Sequence, residues 1–182
     1  MPLFRKAAPQ DPLIVAMSGA RMGLRVLILV ADDAEMAVDV AAKVGLSGQT
    51  IAVGETPDAL ARVAGRGERR GVLVETAVLE LPLQYGDGTF DLAIADDRSQ
   101  PAGTRTDEGL LREVFRVLRP GGRLVVLRAA PKSAAFFSRA PGPDVDAGVR
   151  ALAEKLVTAG FRAVREIATR EKTTFFEAVR SV

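Results

Sequence analysis

The feature that most limits the fold is a near-continuous apolar run, Leu24-Arg25-Val26-Leu27-Ile28-Leu29-Val30, followed by a helical segment in a pattern that then repeats. A seven-residue stretch rich in Leu, Ile and Val, without polar alternation, is what a strand covered on both faces presents. Ala34–Val44 follows with apolar residues at helical spacing (Met36, Val40, Val44) and a glycine stop at Gly45. Further strands are expected over 50–53, 72–74, 90–95 and 123–127. Helices are expected over 13–22, from Thr56-Pro57 toward Gly65, over 108–118 and over 147–159. Strand–helix alternation implies βαβ units and a mostly parallel sheet. Two closing strands, 161–167 and 173–179, are separated by only about five residues, too few for a parallel crossover, so this pair must be antiparallel. The expected fold is therefore α/β: a doubly wound, mostly parallel seven-stranded sheet with an antiparallel last strand.

At 182 residues the chain corresponds to about one domain, 1–182, with residues 1–10 expected to be flexible and 129–146 the longest irregular connection, lid-like in composition. The sequence contains no Cys and no His. Disulfides, thiolate nucleophiles, imidazole bases and His- or Cys-ligated metals are thereby excluded, and no metal site is expected. Chemistry must rest on carboxylates, Lys, Arg, Tyr, hydroxyls, backbone dipoles or positioning. The 25 basic and 23 acidic residues give a net charge of +2. They are spread along the chain rather than gathered on one face, so nucleic acid is not an expected partner. No apolar stretch has transmembrane length. The start of the chain lacks the apolar core of a signal peptide, so the cytoplasm is the default compartment.

Three segments carry a family resemblance. Leu81-Pro82-Leu83-Gln84-Tyr85-Gly86-Asp87-Gly88-Thr89-Phe90-Asp91-Leu92 joins a Leu-Pro turn to a strand; Arg116-Val117-Leu118-Arg119-Pro120-Gly121-Gly122-Arg123 follows a helix; Ala159-Gly160-Phe161 opens the closing hairpin. Together these resemble the class I S-adenosylmethionine-dependent methyltransferases, in particular small-molecule members of the quinone-biosynthesis type. Read as residues, the segments are structural: Pro-Gly-Gly lets the chain turn from helix to strand, and Phe90 and Leu92 are expected on one strand face with Asp91 on the other.

The resemblance implies S-adenosylmethionine as cofactor, bound beyond the carboxyl ends of the strands. The cofactor loop after the first strand is then Ala31, Asp32 and Asp33. It lacks the family's glycines, and its two acids also read as helix caps. The acid that the resemblance implies at the ribose falls on Gly54, with Glu55 one residue late. The acid that it implies at the adenine falls on Ala77, next to Val78. Asp96 and Asp97 lie where the family places catalytic or substrate-contacting residues; adjacent carboxylates can share a proton and serve as a base, or act as a turn and cap. For the acceptor, Tyr85 and the pair Phe136 and Phe137 are candidates, the phenylalanines serving as a lid, a homodimer contact or a membrane-surface contact. Two functions stay open: methyl transfer to a small, quinone-like acceptor, which needs alignment more than acid–base groups, and a non-catalytic relative that binds a protein partner.

Overall fold

The computed structural model describes residues 12–30, 33–98, 104–130 and 143–181. Its elements run α1 (Leu13–Ser18), β1 (Arg25–Val30), α2 (Ala34–Val44), β2 (Gln49–Gly54), α3 (Pro57–Arg70), β3 (Glu75–Val78) and β4 (Phe90–Asp97). A 3₁₀ turn (Thr104–Thr106), α4 (Glu108–Val117), β5 (Leu118–Ala129), α5 (Pro143–Thr158), β6 (Phe161–Arg170) and β7 (Thr173–Arg180) complete them. The seven strands form one sheet in the order β3-β2-β1-β4-β5-β7-β6. β1 to β5 are mutually parallel, and β7 enters antiparallel between β5 and β6. The doubly wound sheet with its reversed last strand is thus as the periodicity predicts.

The apolar run of β1 explains why the sheet is covered on both sides. Leu27 and Leu29 join a core with Ile51, Val53, Ala93, Leu111, Leu124, Leu156 and Phe161, under α4 and α5. Val26, Ile28 and Val30 join the opposite core with Met36, Val40, Val44, Val63, Leu92 and Ile94, under α1, α2 and α3. Side chains alternate across a strand, so a run that is apolar at every position serves two helix layers at once.

Four local expectations are corrected. The third strand is Glu75–Val78, not 72–74. Gly71 adopts a left-handed conformation (φ 65°) that closes α3, and the Val72 amide donates to the Gly67 carbonyl at 2.9 Å, so pairing with β2 begins only at Glu75 opposite Ile51. α3 continues through Gly65 to Arg70. Gly67 is glycine for a packing reason: a Cβ there would lie 2.8 Å from the Val72 carbonyl oxygen. Pro120-Gly121-Gly122 does not precede the fifth strand but lies inside it, because β5 already begins at Leu118. The register slips between Phe90↔Leu118 and Leu92↔Arg123, and this bulge sends Phe90 and Leu92 into opposite cores rather than onto one face.

The family-like segments do prove structural. Asp91 accepts from the Arg25 amide at 2.7 Å and pairs with Arg119 at 2.6 Å. Arg116 donates to the carbonyls of Leu83 (2.9 Å) and Tyr85 (2.8 Å) and pairs with Asp87 and Glu113, which ties the segment after β3 onto α4.

Candidate functional site

The strand order runs away from β1 in both directions, through β2 and β3 on one side and β4 and β5 on the other. At such a reversal the connections leaving β1 and β4 diverge, and a crevice opens beyond their carboxyl ends. Five described side chains gather there: Asp33 at the start of α2, Glu55 just past β2, Asp96 at the end of β4, and Arg98 and Arg105 in the segment that follows.

Asp33 caps α2, accepting from the Met36 amide at 2.9 Å. Its second oxygen receives Arg98 Nη2 at 2.8 Å. Arg98 turns back on Asp96, donating from Nε at 2.8 Å and Nη2 at 3.0 Å, so one guanidinium bridges the start of α2 and the end of β4. Asp96 is 2% exposed, and its Oδ1 also accepts from the Arg98 amide at 3.3 Å. Burial works to lower the Arg98 pKa, but the hydrogen bonds and charges of Asp96 and Asp33 outweigh it, so the pKa is raised and the guanidinium stays charged.

Asp97, buried beside Asp96, faces other partners. Its oxygens receive the Arg105 amide at 3.4 Å and the Thr106 hydroxyl at 3.3 Å, and Arg128 Nε approaches to 3.5 Å. Asp97 therefore fixes the 3₁₀ turn. That turn aims Arg105 at the end of β1, where Nε (3.3 Å) and Nη2 (3.0 Å) both donate to the Val30 carbonyl. Glu55 lies 3.9 Å from Arg105 Nη2, and its side chain is 49% exposed. Gly54, the position of the implied ribose acid, packs against α3: a Cβ there would stand 3.1 Å from Leu60 Cδ2. The nearest carboxylate in the chain is Glu55, one residue further on.

The remaining sequence candidates fall as follows. Ala77 and Val78 end β3, opposite Val53 and Gly54; Ala77 packs toward the core and Val78 is half-exposed at the carboxyl edge. Tyr85 is not brought to that edge. Its ring packs edge-on against Phe90 at 5.2 Å, at the amino end of β4. The other end of this eight-residue strand lies roughly 23 Å away at about 3.3 Å per residue. Burial, and then the Glu75 charge, raise the Tyr85 hydroxyl pKa. Ala31, Asp32, Phe136 and Phe137 lie outside the described residues. Sequence reasoning missed Arg98 and Arg105. The available signal was two arginines immediately flanking the connection after the strand that ends in Asp96-Asp97. Among the described residues no group of His, Cys, Asp or Glu could hold a metal ion.

Chemically, the edge combines the Asp33–Arg98–Asp96 bridge, in which Asp96 is buried, with the half-exposed carboxylate of Glu55 and the guanidinium of Arg105. Such a set suits a ligand that carries cationic centres, vicinal hydroxyls and a single anionic group. The chemistry of this donor set therefore fits S-adenosylmethionine.

Residues 34–126 match a family described as methyltransferase domain. The chain is 34% identical over 133 residues to the ubiquinone/menaquinone biosynthesis C-methyltransferase UbiE of Cellvibrio japonicus (strain Ueda107), covering 69% of this chain and 51% of that protein. It thus spans about half the length of that relative. Among solved structures, a SAM-dependent methyltransferase from Aquifex aeolicus superposes with a TM-score of 0.73 at 18% identity, over 92% of this chain and 87% of that one. A methyltransferase from Pyrococcus furiosus gives 0.68 at 17% identity, over 93% and 81%. The [4+2]-cyclase SpnF also gives 0.68, at 19% identity over 93% and 79%, so the scaffold by itself does not define a reaction. The chain belongs to the class I S-adenosylmethionine-dependent methyltransferases. Within that class, its similarity to the UbiE relative is a likeness over part of a longer protein.

Proposed function

We propose that the chain binds S-adenosylmethionine at the carboxyl edge and transfers its methyl group to a small, quinone-like acceptor. The observation that carries this reading is the gathering of Asp33, Glu55, Asp96, Arg98 and Arg105 at the switch between β1 and β4. Half-exposed Glu55 has oxygens with room to accept from vicinal ribose hydroxyls. Half-exposed Val78, beside Gly54, offers an apolar surface for a purine face. The acids of the Arg98 bridge give the edge negative charge that complements an ammonium or a sulfonium. The cofactor supplies an activated methyl group on sulfur. Asp96 and Asp97 act as positioning carboxylates, because both oxygens of each are engaged by the segment that follows β4. Such a transfer depends on alignment and exclusion of water rather than on a strong base. The quinone-like acceptor rests on the similarity to the UbiE relative.

Titration calorimetry with S-adenosylhomocysteine, followed by transfer of labelled methyl groups to small quinols, tests the reading. Saturable binding together with a labelled quinol supports it. Binding without transfer to any quinol refutes the acceptor, and absence of binding refutes the cofactor. Absence of binding favours a non-catalytic module that binds a protein partner.

A further inference from the structure

We propose that the amino edge of the sheet, at the opposite end of the strands from the crevice, is a two-fold interface between copies of this chain. Among the described residues the three most exposed large apolar side chains are Leu46 (91%), Met22 (75%) and Leu73 (71%). Each lies in the connection that enters a neighbouring strand: Met22 before β1, Leu46 before β2 and Leu73 before β3. Hydrogen bonds tie these connections together. The Gly23 amide donates to the Val44 carbonyl at 3.0 Å, the Gln49 amide to the Leu24 carbonyl at 3.0 Å, and Gln49 Nε2 to Glu75 at 2.8 Å. The three positions therefore follow the strand order β1-β2-β3, one strand spacing of about 4.8 Å at a time. A cavity of about 210 Å³ opens between the second and the third, lined by Ala41, Gly45, Leu46, Gly71, Leu73 and Glu75 among others. Single exposed apolar residues need no explanation, but an aligned set beside a recess marks a contact surface.

Two features select a second copy as the occupant. The first is shape. A two-fold interface sets one patch against itself, so it needs a projection and a recess side by side. Leu46 is the projection and the cavity beside it is the recess. With the axis perpendicular to the sheet and passing between them, Leu46 of each copy enters the cavity of the other. A cavity of about 150 Å³ already holds a benzene ring, so a leucine side chain fits here. The second feature is charge. The same rotation lays the β1 end of one edge on the β3 end of the other. Met22 then meets the partner's Leu73, and exposed Arg21 beside it meets the partner's exposed Glu75. Each pair occurs twice, so a basic end is matched to an acidic end on both sides of the axis. The row spans only three strands, which places the contact in the small, transient class, with a dissociation constant of about 10–500 μM. Both crevices face outward from such a dimer and stay open.

Sedimentation velocity of the full chain over a concentration series reaching about 1 mM tests the proposal, with Leu46→Asp, Arg21→Glu, Glu75→Arg and the double variant Arg21→Glu/Glu75→Arg. Thermal unfolding of each checks that these exposed substitutions leave the fold intact. The expected result is a concentration-dependent dimer that Leu46→Asp weakens by more than about 10-fold, because a carboxylate would have to enter an apolar recess. Each single charge reversal weakens it by about 5- to 20-fold, since two symmetric attractions become repulsions. The double variant returns to within about twofold of wild type, a rescue that a merely sticky surface would not give. A wild-type chain that stays monomeric throughout the series would overturn the proposal. So would a dimer indifferent to Leu46→Asp, which would place the contact on another face. A dimer that Leu46→Asp abolishes but the double variant fails to restore would overturn the two-fold arrangement.

Discussion

The Arg98 bridge makes a claim that a double-mutant cycle can measure. Asp96→Asn removes the buried charge that accepts Arg98 Nε at 2.8 Å and Nη2 at 3.0 Å. Breaking a fully buried pair costs about 3–5 kcal/mol. Here the cost is smaller, because Arg98 retains Asp33 at 2.8 Å and its side chain keeps about a quarter of its surface in water. The loss is then that of charge-assisted hydrogen bonds, about 2 kcal/mol. Unfolding entropy of ~2.1 cal/mol/K per residue gives about 0.4 kcal/mol/K for 182 residues, so Tm falls by about 5 °C. Urea unfolding of wild type, Asp96→Asn, Arg98→Met and the double variant isolates the coupling, expected at about 1–2 kcal/mol. A coupling within ~0.3 kcal/mol of zero would refute the bridge as a tie between the start of α2 and the end of β4. It would also return Asp96 to the role of an uncommitted carboxylate, available as a base.

Three further outcomes follow from the same geometry. Glu55→Ala lowers S-adenosylhomocysteine affinity by about 10-fold in calorimetry while stability stays within ~0.5 kcal/mol, because the side chain is half-exposed. Phe161→Ala, which empties a fully buried site beneath α4 and removes the edge-on contact with Phe115 at 5.2 Å, costs about 3–5 kcal/mol in urea unfolding. Glu177, whose side chain is 8% exposed, shows how pH bears on the reversed strand. Burial would raise its pKa, but hydrogen bonds from Arg165 (2.7 Å) and Arg123 (3.0 Å) outweigh that and hold it below the usual carboxylate range. A lowered folded-state pKa means stability that is complete above the unfolded value of about 4.3 and is lost as pH falls through the folded value. The stability gap between wild type and Glu177→Gln, about 1–3 kcal/mol, is therefore flat above pH ~5 and shrinks below pH ~4.

Legibility in this sequence follows burial. β1 was readable because all five residues from Val26 to Val30 are covered, three by one helix layer and two by the other. β3 was not, because it is an edge strand in which Glu75, Thr76 and Val78 face solvent, while the apolar triplet before it lies in the connection that follows α3. Phe90 and Leu92 were assigned to one face because strict alternation takes no account of a bulge, which arises from how β4 meets β5. Neither error moved an element out of order, so the topology survived both.

The site divides along the same line. Asp33 as a helix cap was legible because its partner, the Met36 amide, is three residues away. The arginines were not, because Arg98 meets Asp33 across 65 residues and Arg105 meets Val30 across 75. Judged alone, the loop after β1 is an acidic break in a cofactor-binding pattern, and Gly54 is a missing acid. In the folded chain the acids of that edge are answered by guanidiniums from the segment after β4, and Gly54 sits in close contact with Leu60, with Glu55 standing next to it. A crevice at a switch point is built from the ends of strands that are remote in sequence. Its charge balance is therefore a property of strand order, and no single loop can be scored for or against a ligand without the segment that folds over it.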